Sequence, residues 1–216
     1  MNVAVIGAGR IGGNIARLLA GAGHSVTLAF ARDPAALQRR ADEIGAAAAT
    51  PADAVAGAEV VVLSVPWGAI AEALEQAGSL AGKVVIDTTN PFGSGPMPAE
   101  GQTAAAFNAA RMPGARYTKA FNTLTSAFQA QVAHREPRVV QWLCGDDDEA
   151  KVLVAGLIRD AGYAPVDLGG TEHCAVMESP RRAGAVYGEE YRPAEARPVV
   201  EAVAAGRPIP PVPSYV

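Results

Sequence analysis

Two cysteines and three histidines among 216 residues leave little from which to build a covalent or metal framework. Cys144 and Cys174 are too few and too isolated in the sequence for a disulfide framework or a zinc site, which fits a reducing, cytoplasmic setting. Charge is sparse as well. Only 19% of the chain is charged and the formal net charge is −4, so no basic field is available to grip nucleic acid. Long apolar runs are missing: the stretch around Val60 to Pro66 is too short to span a bilayer. The first residues enter a strand pattern directly, without the basic and apolar regions and cleavage site of a secretory leader. Nucleic acid, membrane and metal are therefore disfavoured as partners.

What the chain does have is apolar mass in regular alternation. Half of it is apolar, enough to fill the core of one large domain. Residues 2–7 read as a short buried strand, and Ile11, Ile15, Leu18 and Leu19 recur at helical spacing over 10–21, where Gly21 and Gly23 stop the helix. Strand-like stretches follow near 25–30, 46–49, 59–65, 83–88, 115–120, 138–144 and 163–168. Between them lie helical stretches at 67–77, 102–111, 124–131 and 147–161, and Asp33-Pro34 opens another as N-cap and first helical residue. Strand and helix in turn predict an α/β fold, a doubly wound and mostly parallel Rossmann sheet extended by two further strands. From Gly169 onward the chain turns proline-rich, ending in the polyproline-like segment 207–213. One short helix is expected there, from Pro198 to Ala205, closed by Gly206.

The first strand ends in Gly7-x-Gly9-x-x-Gly12, at the mouth of the first helix. Alone that spacing says little; between a strand and a helix it has a mechanism. Gly7 permits the tight turn, Gly9 lets the backbone approach a pyrophosphate, and Gly12 allows the helix to pack closely on the strand. The helix N-terminus offers unpaired N–H groups and a partial positive charge to phosphate. A dinucleotide is expected here. NAD sites place an acid at the end of the second strand, about 20 residues after the motif, to bind the ribose hydroxyls. This strand ends in Ala29-Phe30-Ala31-Arg32. Arg32 can pair with a 2′-phosphate, with Arg10 as a second cation nearby, whereas Asp33 is read as a helix cap. NADP(H) is thus expected over NAD.

At this point the sequence resembles the family of NADPH-dependent coenzyme F420 (deazaflavin) reductases, to which the ferric reductase domains of some membrane proteins are related. The resemblance rests on VIGAGRIG at the start, Val65-Pro66-Trp67, IDTTNPFG at 86–93, KAFNTL at 119–124 and CGDDDEAK at 144–151. These cover roughly the first 168 residues, and the last 45 or so match poorly. Where the family often has a polar residue and an Arg, this chain has Phe30 and Ala31. The resemblance implies that residues 1–168 bind NADP through Gly7, Gly9, Arg10, Ile11, Gly12 and Arg32. It implies that Val65, Pro66 and Trp67 lead towards the nicotinamide ribose, and that Thr89, Asn90 and Pro91 lie beside the nicotinamide. Asn122 and Thr123 would border the pocket of a small-molecule acceptor, coenzyme F420. Residues 169–216 would complete the acceptor site or a dimer contact, since relatives are commonly homodimers. Trp67 also reads as a core aromatic and Asn90-Pro91 as a turn.

Ring-to-ring hydride transfer needs alignment more than acid–base groups. Other acceptors compatible with the sequence are a flavin, a ferric chelate, or an imine or enone, the last two needing a proton donor. A non-catalytic NADP sensor belongs to a different class. His173 beside Glu172 is a candidate donor but reads better as a surface histidine. The acids 146–149 suit the positive end of a helix better than a metal. Arg181-Arg182 reads as a solvated pair or an anchor for an anionic tail. The proline-rich end, with Ile209, Val212, Tyr215 and Val216, reads as an arm over a partner subunit or as a disordered tail.

Overall fold

The computed structural model describes residues 1–215. In chain order the elements are β1 (Asn2–Ile6), α1 (Arg10–Gly21), β2 (Ser25–Ala29), α2 (Pro34–Ile44), β3 (Ala47–Ala48), α3 (Pro51–Gly57) and β4 (Val60–Leu63). A 3-10 turn at Trp67–Ala69 leads into α4 (Ile70–Ala77), followed by β5 (Val84–Asp87), α5 (Ala104–Ala109), β6 (Arg116–Ala120) and α6 (Ser126–Val132). Then come β7 (Val140–Gly145), α7 (Asp148–Asp160), β8 (Ala164–Asp167), a 3-10 segment at Thr171–Met177 and α8 (Pro193–Ala204).

The strands form one eight-stranded sheet in the order β3-β2-β1-β4-β5-β6-β7-β8. The first six are parallel, and β7 turns antiparallel to β6 while β8 runs parallel to β7. The expected doubly wound sheet with two further strands is therefore the fold. Its central strands, such as Val60–Leu63, are buried on both faces and carry no polar alternation, as a parallel sheet covered by helices requires. Two apolar clusters fill the faces, one around Ile15, Leu19 and Leu157, the other around Trp67, Trp142 and Val199.

Side-chain caps start most of the helices that cover the sheet. Asp33, Thr50, Thr103, Thr125 and Asp147 each accept a hydrogen bond from the backbone of the following turn. The capping role expected for Asp33 and for the acidic run at 146–149 is thus present. α1 is different: its N-cap Gly9 offers no side chain and its first turn holds no acid, so its leading N–H groups stay open.

The C-terminal region corrects several expectations. The helix runs from Pro193, not Pro198, and Pro198 sits inside it. That proline is on the exposed face, where the helix carbonyl it cannot serve meets water, while Ala196, Val199, Ala202 and Val203 are buried. Tyr215 folds back onto α8 of its own chain, under Arg192 at 4.3 Å and donating to Glu195 at 3.1 Å. Ile209 packs on the core, Val212 is exposed, and Val216 lies outside the described residues.

The cysteines are also brought together. β7 and β8 are parallel, so the chain leaving β8 emerges beside the end of β7, and Cys174 meets Cys144 in a disulfide with Cα atoms 6.2 Å apart. Isolation along the sequence was no guide, because strand pairing closes the distance. The bond spans 30 residues and ties the region after β8 to the sheet. Closing a loop of that length stabilises a fold by about 3–4 kcal/mol. The Cys144→Ala/Cys174→Ala double variant is therefore expected to lose at least about 3 kcal/mol in urea unfolding relative to oxidised wild type. A thiol titration of the denatured, unreduced protein that finds two free thiols would contradict the bond itself.

Candidate functional site

The site lies along the carboxyl ends of β1, β2, β4, β5 and β6, where the sheet order reverses between β1 and β4. Two confluent cavities occupy this edge. The first, about 650 Å³, is lined by Gly7, Gly9, Phe30, Ala31, Arg32, Leu37 and Arg40 and, across from them, by Ser64 to Pro66, Glu72 and Gln76. The second, about 420 Å³, is lined by Arg10, Ile11, Trp67, Thr88, Thr89, Asn90, Phe92, Phe121, Asn122 and Tyr187. Gly9, Ser64, Val65 and Pro66 line both. An elongated ligand can thus pass from one to the other over the N-terminus of α1.

The glycines act as their positions imply. Gly7 has φ +103, and a Cβ there would collide with the Ser64 carbonyl. A Cβ on Gly12 would collide with the Gly7 carbonyl, so this glycine lets α1 pack on the turn. Gly9 is the opposite case: a Cβ would meet nothing within 4 Å, so its backbone faces open space. That cradle of uncapped N–H groups fits a pyrophosphate. Phe30 makes the turn out of β2 with a φ of 64, uncommon for a bulky residue. Asp33 accepts from the Ala35 and Ala36 N–H groups at 2.9 and 3.1 Å and is 3.9 Å from Arg39, so its carboxylate is engaged by its own helix.

Other predicted residues are distributed less evenly. Arg32 lines the first cavity and Arg10 the second. Arg40 shares the first cavity with Arg32. It was missed because it is on α2, outside any motif; its helical spacing from Ala36 and Leu37 was the available signal. Trp67 lines the second cavity while buried, donating from Nε1 to the Pro96 carbonyl at 2.8 Å and stacking on Phe107, as a core aromatic does. Pro91 and Thr123 line neither cavity. Thr123 is buried, and its carbonyl accepts from the Gly188 N–H at 2.8 Å. Tyr187, from the region that matched poorly, closes the second cavity beside Phe92, with ring centroids 6.3 Å apart.

Asn90 and Asn122 lock each other. Asn90 Nδ2 donates to the Asn122 carbonyl at 2.9 Å, and Asn122 Nδ2 donates to Asn90 Oδ1 at 3.2 Å and to the Met177 carbonyl at 2.7 Å. Ser179 N–H also donates to Asn90 Oδ1 at 3.2 Å. The loops after β5 and β6 and the segment after Thr171–Met177 are thereby held in one register. Glu178, between those contacts, accepts from the Ala104 and Ala105 N–H groups at the start of α5.

Behind this wall is a buried charge network that sequence reading overlooked. Lys119 and Asp87 are both 0% exposed. Lys119 Nζ donates to the Thr89 carbonyl at 2.7 Å and is 3.4 Å from Asp87. Asp87 also accepts from Tyr117 Oη at 2.6 Å, Asn108 Nδ2 at 2.9 Å and the Thr89 N–H at 2.8 Å. Burial alone would push its carboxyl up, but Lys119 and these donors hold it below the usual carboxylate range. The same burial and the neighbouring Asp87 push the Tyr117 hydroxyl well up. His173, by contrast, lines neither cavity, and its Nδ1 is 2.9 Å from the Leu168 carbonyl. Arg181 and Arg182 are both exposed, as a solvated pair would be, while Arg181 pairs with Glu189 and Arg182 donates to the carbonyls of Ala175, Glu178 and Pro180.

A family model described as NADP oxidoreductase, coenzyme F420-dependent, matches residues 2–91. Over 179 residues the chain is 29% identical to the metalloreductase STEAP3 of Rattus norvegicus, covering 82% of this chain and 36% of that protein. It therefore spans about a third of the length of that curated relative. Among solved structures it is similar to a hypothetical protein of Sinorhizobium meliloti, with a TM-score of 0.79 and 31% identity over 89% of this chain and 95% of that one. A candidate F420-dependent NADP reductase of Arthrobacter sp. FB24 gives 0.69 and 30% over 79% and 86%. An imine reductase of Aspergillus terreus in complex with NADPH4 gives 0.60 and 25% over 79% and 56%.

Removing one member of a buried ion pair costs about 3–5 kcal/mol, so Asp87→Asn is expected to lose stability of that order in urea unfolding at pH 7. The pH dependence has a defined sign. A carboxyl whose folded pKa is depressed contributes stability that is complete above its unfolded value, about 4, and is lost as pH falls through the folded value. Wild type should therefore lose more stability than Asp87→Asn between pH 5 and the acid transition. Parallel pH profiles of the two proteins would count against the network.

Proposed function

The chain belongs to the family of coenzyme F420-dependent NADP oxidoreductases, and on that premise we propose that it moves a hydride between NADP(H) and the deazaflavin ring of coenzyme F420. The observation that carries this reading is the pair of confluent cavities that meet at Gly9, Ser64, Val65 and Pro66. In it, the adenosine end of the dinucleotide takes the first cavity, Arg32 faces the 2′-phosphate, and the open N–H groups of α1 receive the pyrophosphate. Reduced nicotinamide, when bound, supplies the hydride.

The chain's own part is alignment. Reacting carbons must come within about 3–3.5 Å in a water-poor space. Val65, Pro66 and Trp67 on one side, and the interlocked Asn90 and Asn122 on the other, limit where two flat rings can sit. Phe92 and Tyr187 supply an aromatic wall at the outer end. No carboxylate, histidine, lysine or cysteine lines the second cavity among the described residues. Hydride addition to the deazaflavin carbon leaves a delocalised anion whose ring nitrogen takes its proton from water, so no such group is needed. A C=N or C=O acceptor, by contrast, is better served by a proton donor in the site.

One observation favours a second reading. The Tyr187 hydroxyl is a phenol within the second cavity, and burial pushes it up. A proton donor at that place suits reduction of an imine or another C=N or C=O acceptor. A single pair of variants separates the two readings. With NADPH and oxidised coenzyme F420, wild type is expected to bleach the deazaflavin absorbance, more weakly with NADH, and Arg32→Ala is expected to raise the KM for NADPH about tenfold or more. Tyr187→Phe should keep most of that rate and Tyr187→Ala should lose it. Loss in both variants together with turnover of a cyclic imine would shift the conclusion to the second reading, and absence of bleaching by wild type would overturn the first.

A further inference from the structure

A fourth glycine, Gly13, follows the three of the turn and is explained by none of their roles. The nearest atoms that a Cβ at this position would collide with belong to the guanidinium of Arg40. Arg40 reaches from α2 across the bare first turn of α1, and its Nη2 donates to the Gly9 carbonyl at 3.2 Å. That bond uses one of the five N–H donors of a guanidinium. Arg40 forms no ion pair among the described residues, and the same holds for Arg32, which shares the first cavity with it. Among the described residues Glu72 is the one acid lining that cavity, and it accepts from Gln76 at 3.0 Å. The acid nearest in sequence, Asp33, is committed to its helix cap.

Two guanidinium groups in one cavity, neither of them paired with a carboxylate among the described residues, form a receptor for an anion of more than one charge. We propose that Arg40, seated by Gly13 and Gly9, is the second cation of the site that selects a phosphomonoester on the adenosine ribose, and hence NADP over NAD. The role assigned to Arg10 from its place in the motif passes to a residue 30 positions later, because α2 returns beside the turn. Through the Gly9 carbonyl the same side chain links the 2′-phosphate site to the pyrophosphate cradle. The inference rests on the NADP reading above.

The test is equilibrium binding by calorimetry, with NADP and NAD as parallel ligands and adenosine 2′-monophosphate against adenosine 5′-monophosphate as minimal probes. In Arg40→Met the ratio of NADP to NAD affinity is expected to fall about 10- to 100-fold, the range of a lost charge-assisted hydrogen-bond pair. The 2′-monophosphate should weaken more than the 5′-monophosphate. Gly13→Ala provides an independent arm: the added methyl displaces Arg40, so the ratio should fall while thermal stability holds or rises, since alanine is the better helix residue. An equal loss for NADP and NAD in Arg40→Met would assign Arg40 to the pyrophosphate or to structure and overturn the proposal. So would an unchanged ratio. Wild type binding both dinucleotides equally would instead remove the NADP reading on which the proposal stands, without any variant being needed.

Discussion

Where α1 leaves β1, backbone meets backbone with no room for a side chain. A Cβ on Gly12 would strike the Gly7 carbonyl, and one on Gly7 would strike the Ser64 carbonyl at the end of β4. This close approach draws α1 onto the crevice between β1 and β4 and aims its uncapped N-terminus along the carboxyl edge of the sheet. Were any of these positions larger, the helix would stand off the strand and the crevice would widen. The continuity of the two cavities, which share Gly9 and the Ser64–Pro66 segment, depends on the same contact. Binding at this edge is a consequence of how three short segments are forced to touch.

The other half of the site is organised by polar groups that have left water. Asp87 and Lys119 are fully buried at the carboxyl ends of β5 and β6, and each is satisfied by several partners. A buried pair of this kind seldom adds net stability, because desolvation offsets most of the attraction. Its effect here is geometric. Lys119 holds the Thr89 carbonyl and Asp87 holds the Thr89 N–H, so both ends of one peptide neighbourhood are fixed just before Asn90. Asn90 in turn engages Asn122 and the segment after Met177. The chain of bonds runs from the sheet interior to the wall of the second cavity without a break.

The region after β8 completes that wall from a distance. It crosses the face of β6 and β7, is fastened at Cys174, contributes the Met177 carbonyl and the Glu178 cap on α5, and delivers Tyr187 beside Phe92. Two surfaces of different chemistry result along one edge. The first cavity is built for charge, with Arg32 and Arg40, and the second for flat apolar groups, with Trp67, Phe121 and Tyr187. A dinucleotide lying across both would present its phosphates to the one and its ring to the other.

Periodicity made the sheet legible in the sequence because its signals are local. A buried parallel strand is a short apolar run, and a covering helix repeats every three to four residues. The glycine turn was legible for the same reason, since strand, turn and helix are contiguous, and so was Asp33, whose cap reaches only two and three residues ahead. What only the tertiary structure decided involves groups that meet across strands or helices. Cys144 found Cys174 through the parallel pairing of β7 with β8, and Arg40 joined Arg32 through the return of α2. Asp87 found Lys119 across β5 and β6, and Tyr187 came to Phe92 from a region after β8 that carries no motif of its own. Pro198 deceived for the converse reason: a local helix-start signal gave way to the burial of Ala196, Val199 and Ala202 on the core. Sequence by itself determined the strands, the helices and the glycine turn between β1 and α1, which rest on interactions between chain neighbours. The side chains that give the two cavities their chemistry were set by packing, because no pattern along the chain records which faces will be brought together.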